Sequence, residues 1–311
     1  MTIQAQPESR QTRHRYGMIL ILLAGVFFTL MSLGVRMLRN DFSAHTLVFY
    51  RCLFQALVVT PWALGLCRGI PSVGLSRART HLLRGTFGIS SMFLLYVALG
   101  ELPLGLANLL AMTSVLWAAL LSRLLLKESW TSVQASAALV SLIGIGITLW
   151  GSEQGLPAWQ WTYFGVAAAL GCGLFMGTAL TVLRHMRQTV GAAEIVFFFG
   201  ICGALLTLPA VVWRWEWPTS QTQWIWLLAI GVTATAGQIL MTVGFRYTTT
   251  LVGTVCKLME PVFNLAVGFH LLHEVPPGGF WIGATLVVVG MVTLMAAGAQ
   301  SRVSTSETVG V

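Results

Sequence analysis

The stretch CKLMEPVFN, residues 256–264, sits inside an apolar run from about Leu251 to Leu272 and carries a lysine and a glutamate three residues apart. About 20 successive apolar residues are what an α-helix needs to cross the hydrocarbon core of a bilayer. An ionisable side chain at that depth costs about 2.5–3.5 kcal/mol on insertion scales, so it faces a partner or a cavity rather than lipid. At a rise of about 1.5 Å per residue, Lys257 lies roughly 12 Å from the inner end of the span and Glu260 about 4–5 Å further, near the midplane. Residues i and i+3 share a helix face, which leaves two readings. In one, Lys257 and Glu260 neutralise each other as a structural pair. In the other they face a cavity and bind substrate, with Pro261 as a hinge, because proline removes a backbone hydrogen bond and bends a helix.

The whole chain has the same character. Of its 311 residues 56% are hydrophobic and 9% charged, with a mean hydropathy of +0.79, whereas a soluble domain is roughly a quarter charged. These values describe a membrane protein. The net charge of +8 and pI near 9.8 raise the question of nucleic acid, but such a binder gathers its basic residues on one water-facing surface. Here they fall in short loops, so no nucleic-acid partner is expected. The five cysteines, Cys52, Cys67, Cys172, Cys202 and Cys256, have neither zinc-site spacing nor the density of a disulfide scaffold, and no redox role is assigned to them.

Scanning for apolar runs gives ten spans, at about 16–37, 44–66, 81–100, 103–125, 131–150, 159–182, 191–213, 222–245, 249–272 and 279–298. The fold class is therefore an all-α polytopic membrane protein. Residues 1–15 form a polar tail, and the first apolar run lacks a small-residue cleavage site, so it reads as an uncleaved span. Residues 299–311 form a second polar tail. With the N-terminus inside, thirteen positive residues fall on the cytoplasmic side: Arg10, Arg13 and Arg15, then Arg68, Arg77, Arg79 and Arg84, then Arg123 and Lys127, Arg184 and Arg187, Arg246, and Arg302. The opposite side has three, Arg36, Arg39 and Arg214. Such a split places both termini in the cytoplasm.

Internal symmetry emerges at an offset of 146, which pairs Gly25 with Gly171, Gly85 with Gly231, Glu128 with Glu274 and Gly144 with Gly290, and lays LLLKE (124–128) on HLLHE (270–274). Residues 16–150 and 151–298 then form two five-helix repeats. An odd number of spans per half inserts the halves in opposite orientations, the arrangement in which secondary transporters place a site near the midplane.

The segments LVFYRCLF, LYVALGELPLGLANLL, LLLKESW, MTVGFRYTTTLVGTV, LMEPVFNLAVGFHLLHE and WIGATLVVVG, in this order and spacing, resemble the EamA-type members of the drug/metabolite transporter superfamily. The resemblance runs from about Gly17 to Met295. It implies a ten-helix carrier with a central cavity lined by both halves, moving small metabolites or toxic compounds, most often outward across a bacterial inner membrane. Two departures stand out. Span four has Val115 where a proline is common, while span nine keeps Pro261, which is expected to make the halves unlike in flexibility. Lys257 is not part of the general pattern and points to a particular substrate.

Arg51, roughly 10 Å below the outer surface by helix rise, completes a set of three charges with Lys257 and Glu260 that totals +1. Arginine binds carboxylates bidentately, so such a pocket suits an amino acid or an amino-acid-derived, carboxylate-bearing compound. The alternative for Arg51 is snorkelling to the headgroups. Tyr50, Tyr96, Asn108, Trp117, Gln238 and Asn264 are the remaining candidates for substrate contact, as hydrogen-bonding groups and aromatic walls, with ordinary helix packing as the competing reading for each. The offset aligns Trp117 with Phe263 and Ala111 with Lys257, so the first half offers aromatics where the second offers charge, and the site is expected to be asymmetric on a symmetric scaffold. Gly165, Ala169, Gly173 and Gly177 form a small-residue stripe for close helix packing. His270 and His273 read as interfacial, and no metal or cofactor is expected.

The expected partners are a small-molecule substrate and the lipid bilayer, with protons as a candidate coupling ion and either a monomer or a homodimer as the assembly. An enzyme is not expected: HExxH, GxSxG and Asp-rich metal motifs are all missing. A channel or facilitator is the nearer alternative, though no carbonyl filter motif or ring of repeated charge occurs. Import rather than export is also compatible with the sequence.

Overall fold

A computed structural model describes residues 7–63, 75–117, 120, 131–153, 162–186, 190, 192–248 and 250–308, and no β-strand occurs among them. The helices are α1 (Pro7–Leu38), α2 (Ala44–Ala63), α3 (Leu75–Glu101), α4 (Leu104–Ala111), α5 (Ser132–Glu153), α6 (Tyr163–Met186), α7 (Ala192–Trp213), α8 (Gln221–Tyr247), α9 (Thr250–Lys257), α10 (Glu260–Leu272) and α11 (Gly278–Thr308). Among the described residues, eight helical segments are long and apolar enough to cross a bilayer, and Leu104–Trp117 is a shorter apolar one. Helix α2, with His45, Arg51 and Gln55 among its twenty residues, falls outside that count. Without water, a backbone can satisfy its own N–H and C=O groups in hydrocarbon only as a helix or a closed barrel, and this chain takes the first course.

The outward surfaces agree with a lipid setting. Leu139, Leu142, Leu205, Val212, Ile225 and Ile282 are all more than half exposed, an arrangement water would penalise at about 25 cal/mol per Å² of apolar surface. Exposed aromatics gather at helix ends: Trp150, Tyr163, Trp213 and, in the 214–220 connection, Trp215 and Trp217. Amphipathic rings favour the headgroup level. In that connection Trp215 stacks on Trp217 with centroids 5.9 Å apart, and Glu216 accepts the backbone N–H of Ser43 at 2.7 Å, just ahead of α2.

Two compact units divide the chain, and each draws on both halves of the sequence: Met1–Ile89 with His185–Phe263, and Ser90–Arg184 with Asn264–Val311. In the first unit α1 packs on α8 and α9, and α2 on α7 and α8. A Cβ on Gly17 would stand 2.9 Å from the Gly244 carbonyl oxygen, and one on Gly244 would stand 3.0 Å from that of Gly17. In the second unit α5 packs on α11. There a Cβ on Gly144 would lie 2.8 Å from both the Gly283 oxygen and the Val287 nitrogen, and one on Gly290 would lie 2.7 Å from the Ala137 oxygen and 2.9 Å from the Ser141 nitrogen. The offset of 146 turns the first set of contacts into the second, residue for residue.

The small-residue stripe of α6 also packs. A Cβ on Gly165 would meet Glu101 and Leu102 at 2.7–2.9 Å, Ala169 is fully buried, and a Cβ on Gly173 would strike Thr113. Two apolar segments are interrupted part-way. Helix α4 stops at Ala111, Met112 and Thr113 form a turn, and residues 114–117 are helical again. Helix α9 stops at Lys257, Leu258 and Met259 form a turn, and α10 begins at Glu260. Both begin and break at positions 146 apart.

Gly144→Ala is expected to lower thermal stability in detergent by about 1–3 kcal/mol, because the new methyl meets backbone atoms that cannot rotate away. Gly146→Ala, one turn-fraction along the same helix with nothing within 4 Å of its would-be Cβ, serves as the control. It should be neutral, and equal losses for both would show that close α5–α11 packing is not the cause.

Candidate functional site

A helix end exposes up to four unpaired N–H or C=O groups, and inside a membrane there is little water to take them. At the break in α9–α10 the turn closes with short-range bonds, Leu258 N–H to Val255 O and Met259 N–H to Cys256 O, both 3.1 Å. Lys257 is the last residue of α9 and Glu260 the first of α10, and Lys257 Nζ donates to Glu260 Oε2 at 3.3 Å. Each charge therefore sits at the helix end whose dipole it opposes, the cation at a C-terminus and the carboxylate at an N-terminus. Their side chains are 13% and 5% exposed. Pro261 is the second residue of α10, where its missing N–H is an orphan in any case. The turn precedes it, so the interruption is not located at the proline.

Span four makes the same turn without one. Thr113 N–H bonds Leu110 O at 3.1 Å, the counterpart of Met259 to Cys256. The Thr113 hydroxyl donates to Leu110 O at 2.6 Å and the Ser114 hydroxyl reaches Met112 O at 3.5 Å. The turn itself is common to both halves with or without a proline: Leu110 O and Met112 O accept the N–H groups of Thr113 and Val115, and the Thr113 and Ser114 hydroxyls add to the same carbonyls, where the second half carries Lys257, Glu260 and Pro261.

In the first unit Arg51 lies on α2, 4% exposed, so it does not snorkel to a surface. Its Nη2 donates to Gln238 Oε1 on α8 at 2.9 Å, and its guanidinium carbon stands 5.4 Å from the centre of the Phe199 ring on α7. Arg51 and Gln238, both candidates from the sequence, are brought together. Tyr50 is buried in an aromatic cluster, 5.7 Å from Phe49, 6.2 Å from Phe54 and 6.1 Å from Trp224 between centroids, which is a packing position.

The second unit holds the other candidates. Tyr96 and Asn264 are buried at 2% and 0% exposure. Asn108, 1% exposed, donates through Nδ2 to Leu104 O at 3.0 Å while its Oδ1 has no partner. Trp117 is half-buried in the short helical stretch after the turn. Glu274 has a clear task in this unit. His273 takes a left-handed conformation (φ 54°), a state histidine adopts more readily than most residues. The chain thereby reverses after α10, so that Glu274 N–H bonds Gly268 O at 3.0 Å and its carboxylate accepts Leu104 N–H at 2.9 Å. A buried carboxylate thus caps the N-terminus of α4. Its repeat partner Glu128 lies outside the described residues.

Sequence reasoning missed two features. Arg84, assigned to a cytoplasmic loop, lies in α3 and is 6% exposed, with its guanidinium carbon 4.8 Å from the same Phe199 ring centre. His81, one turn earlier, is buried and pairs with Glu194 at 3.2 Å. The available signal was that both fall within span three as drawn.

Glu274→Ala should destabilise the protein by about 1–3 kcal/mol, the usual penalty for orphaning a buried polar group, measured as a lowered midpoint of thermal unfolding. Glu274→Gln, which keeps an acceptor, should lose less. The same loss for both would put the effect on charge rather than on the cap.

Similarity to known proteins follows the two halves of the sequence rather than the two compact units. The EamA-like transporter family matches twice, over residues 15–150 and 163–296. The chain is 26% identical to the pseudopaline exporter CntI of Pseudomonas aeruginosa over 282 residues, covering 89% of this chain and 95% of that one. It is 26% identical to human solute carrier family 35 member G1, covering 88% of this chain and 76% of that protein. A crystal structure of a protein 20% identical superposes with a TM-score of 0.62 over 92% of this chain and 99% of the other, a likeness of fold. With the family matched over both halves, the chain belongs to the EamA-like transporters of the drug/metabolite transporter superfamily.

Proposed function

We propose that this transporter is a secondary carrier moving a small polar, carboxylate-bearing metabolite, an amino acid or a compound derived from one, outward across a bacterial inner membrane by alternating access. The observation that carries the reading is the pair of interrupted helices at 112–113 and 258–259, the second flanked by Lys257 and Glu260. Non-helical backbone at membrane depth is tolerated where it lies in protein or lines a water-filled cavity. Transporters use such broken helices to hold substrate. The double family match and the reciprocal contacts of Gly144 and Gly290 support a repeated architecture; five spans in each half make the repeats inverted, and the positive residues of the loops support termini in the cytoplasm. Export is the direction of one relative by its name, the pseudopaline exporter.

In this reading Arg51, held by Gln238, takes the carboxylate, and Lys257 and Glu260 exchange part of their mutual pairing for the substrate's charged groups. Pro261 starts α10 straight after the turn, where its ring keeps the helix from being continued back into α9, and it serves as the hinge about which the two segments move. Purified protein in proteoliposomes should then give saturable, substrate-dependent flux when presented with candidate amino acids and their derivatives. Non-saturating flux would indicate a channel. Imposing a pH gradient in the same assay reads out proton coupling.

Removing a whole buried ion pair is often neutral for stability, while removing one partner is costly. Lys257→Met combined with Glu260→Gln should therefore stay folded, with a thermal midpoint near that of the parent, yet lose flux by about a hundredfold, equivalent to some 2.7 kcal/mol. Near-normal flux in the folded double variant would reduce the pair to a structural cap.

Topology is tested separately. A reporter active only in the periplasm, fused after Val311, should be silent, and a cytoplasmic reporter there should be active. The reverse result would overturn the assignment drawn from the positive residues of the loops.

A further inference from the structure

We propose that Arg51 and Arg84 together form an anion-binding site in the first unit that takes a doubly charged oxyanion, such as a dicarboxylate or a phosphate monoester, from solution. This deepens the transport reading by naming the charge class of the solute, and it rests on that reading for the solute's role.

Both guanidinium groups are more than nine-tenths buried, and both stack on the single ring of Phe199, at 5.4 and 4.8 Å. They are therefore neighbours across one aromatic side chain. Arginine does not deprotonate in proteins, so each brings a full charge. Each also brings a desolvation penalty of several kcal/mol. Cation–π contacts with one ring return about 0.5–2 kcal/mol apiece and leave the mutual repulsion in place.

Among the described residues no carboxylate forms an ion pair with either arginine, and Glu194 on α7 is engaged with His81. The hydrogen bonds formed are few: Arg51 Nη2 to Gln238 Oε1, and a long contact of 3.9 Å from Arg51 Nη1 to Cys52 Sγ. Arg51 Nε, Arg84 Nε and Arg84 Nη1 are buried without an acceptor.

The surroundings are arranged to keep these donors in place. Gly88, one turn after Arg84 on α3, has no side chain, and a Cβ there would collide with Arg84 Nη1 and with Phe199. The α2 residue one turn after Arg51 is Gln55, whose Nε2 is tied to Val196 O at 2.7 Å and whose Oε1 has no partner. Three unpaired cationic donors and one unpaired acceptor thus lie along the α2–α3–α7 faces of one unit. Guanidinium forks match oxyanion geometry bidentately. A monoanion would leave one positive charge buried and unmatched, whereas a dianion neutralises both.

The test is binding, which requires no flux. Thermal unfolding of the detergent-purified protein is followed with succinate, inorganic phosphate, acetate and chloride at matched ionic strength. Succinate or phosphate should raise the midpoint in a saturable way, and acetate and chloride should not. Arg51→Gln and Arg84→Gln should each weaken the half-saturating concentration by about tenfold or more. Gly88→Ala, which displaces the Arg84 head without removing it, should do the same. The double variant Arg51→Met with Arg84→Met should be at least as stable as the parent without anion, since it removes two repelling buried charges. That variant keeps the test decisive if a single substitution fails to fold.

The proposal fails if neither dianion shifts the parent protein, if acetate works as well as succinate, or if the shift survives Arg84→Gln. It also fails if only phosphatidylglycerol in nanodiscs, and no soluble dianion, stabilises the parent relative to a neutral lipid, because the ligand is then a headgroup. A protein that binds succinate yet gives no saturable flux of any solute would sink the carrier reading and leave this site standing. One that exports amino acids while ignoring dianions would do the opposite.

Discussion

A helix that stops inside a membrane leaves backbone groups unpaired where there is little water to take them, and much of this structure is an answer to that constraint. Among the described residues a span is interrupted in this way at Ala111 and at Lys257, and each restarts after a two-residue turn. In the second half the answer is charge: a lysine at the end of one segment and a glutamate at the start of the next, 3.3 Å apart and opposed to the local helix dipoles. In the first half short-range backbone bonds close the turn, Thr113 N–H to Leu110 O and Val115 N–H to Met112 O, and the Thr113 and Ser114 hydroxyls add second donors to those carbonyls. The far end of α4 meets the constraint again, and there Glu274 supplies the missing acceptor. One backbone plan is thus accompanied by different side chains in each half, hydroxyls in the first and an ion pair in the second.

Close packing supplies the frame that holds these breaks. In lipid there is no hydrophobic drive to press apolar helices together, and association depends on dispersion contacts and small residues that let backbones approach. The pairs Gly17 with Gly244 and Gly144 with Gly283 bring main chain against main chain. On α6, Gly173 lies against Thr113 and Ser114, so the first break is seated on a surface with no side chain of its own. Gly25 stands in a similar relation to the second break, with Phe263 3.3 Å from its would-be Cβ and the Glu260 Cβ at 3.9 Å. Gly25 and Gly171 are the repeat landmarks in their helices, and the first of them has its explanation in contact with the broken span.

What was legible in the sequence is what repeats along the chain. Apolar runs locate the helices, because burial of backbone in lipid demands them, and α2, α7, α8 and α11 begin within a residue of the expected positions. Lys257, Glu260 and Arg51 were legible because charges in apolar runs are rare. The break in span four was not, since Thr113 and Ser114 are ordinary residues in a membrane helix and nothing local announces that the backbone tightens there into a turn their hydroxyls support. Arg84 was misread for a related reason. Positive residues near the start of a span are normally cytoplasmic anchors, and only the partner helix, which brings Phe199 over it, reveals that this one is inside. A contact between segments distant in sequence has no signature in either segment alone.

The distribution of charge between the two units follows from the same physics. The first unit holds Arg51, Arg84, His81 with Glu194, and Lys257 with Glu260, whereas among the described buried residues of the second Glu274 is the charged one. Glu274 is consumed by the α4 N–H, and Lys257 and Glu260 largely by each other and by the helix ends they cap. His81 is matched to Glu194. Subtracting these leaves two arginines stacked on one phenylalanine, with the fewest partners of any buried charges described. Their cost persists in the free protein, and the proposed anion site is the arrangement in which a bound oxyanion offsets it. A permanent carboxylate beside them would offset that cost within the fold, and it would also fill the place that the proposed anion site needs open, so the two guanidinium groups are matched by a ligand or not at all.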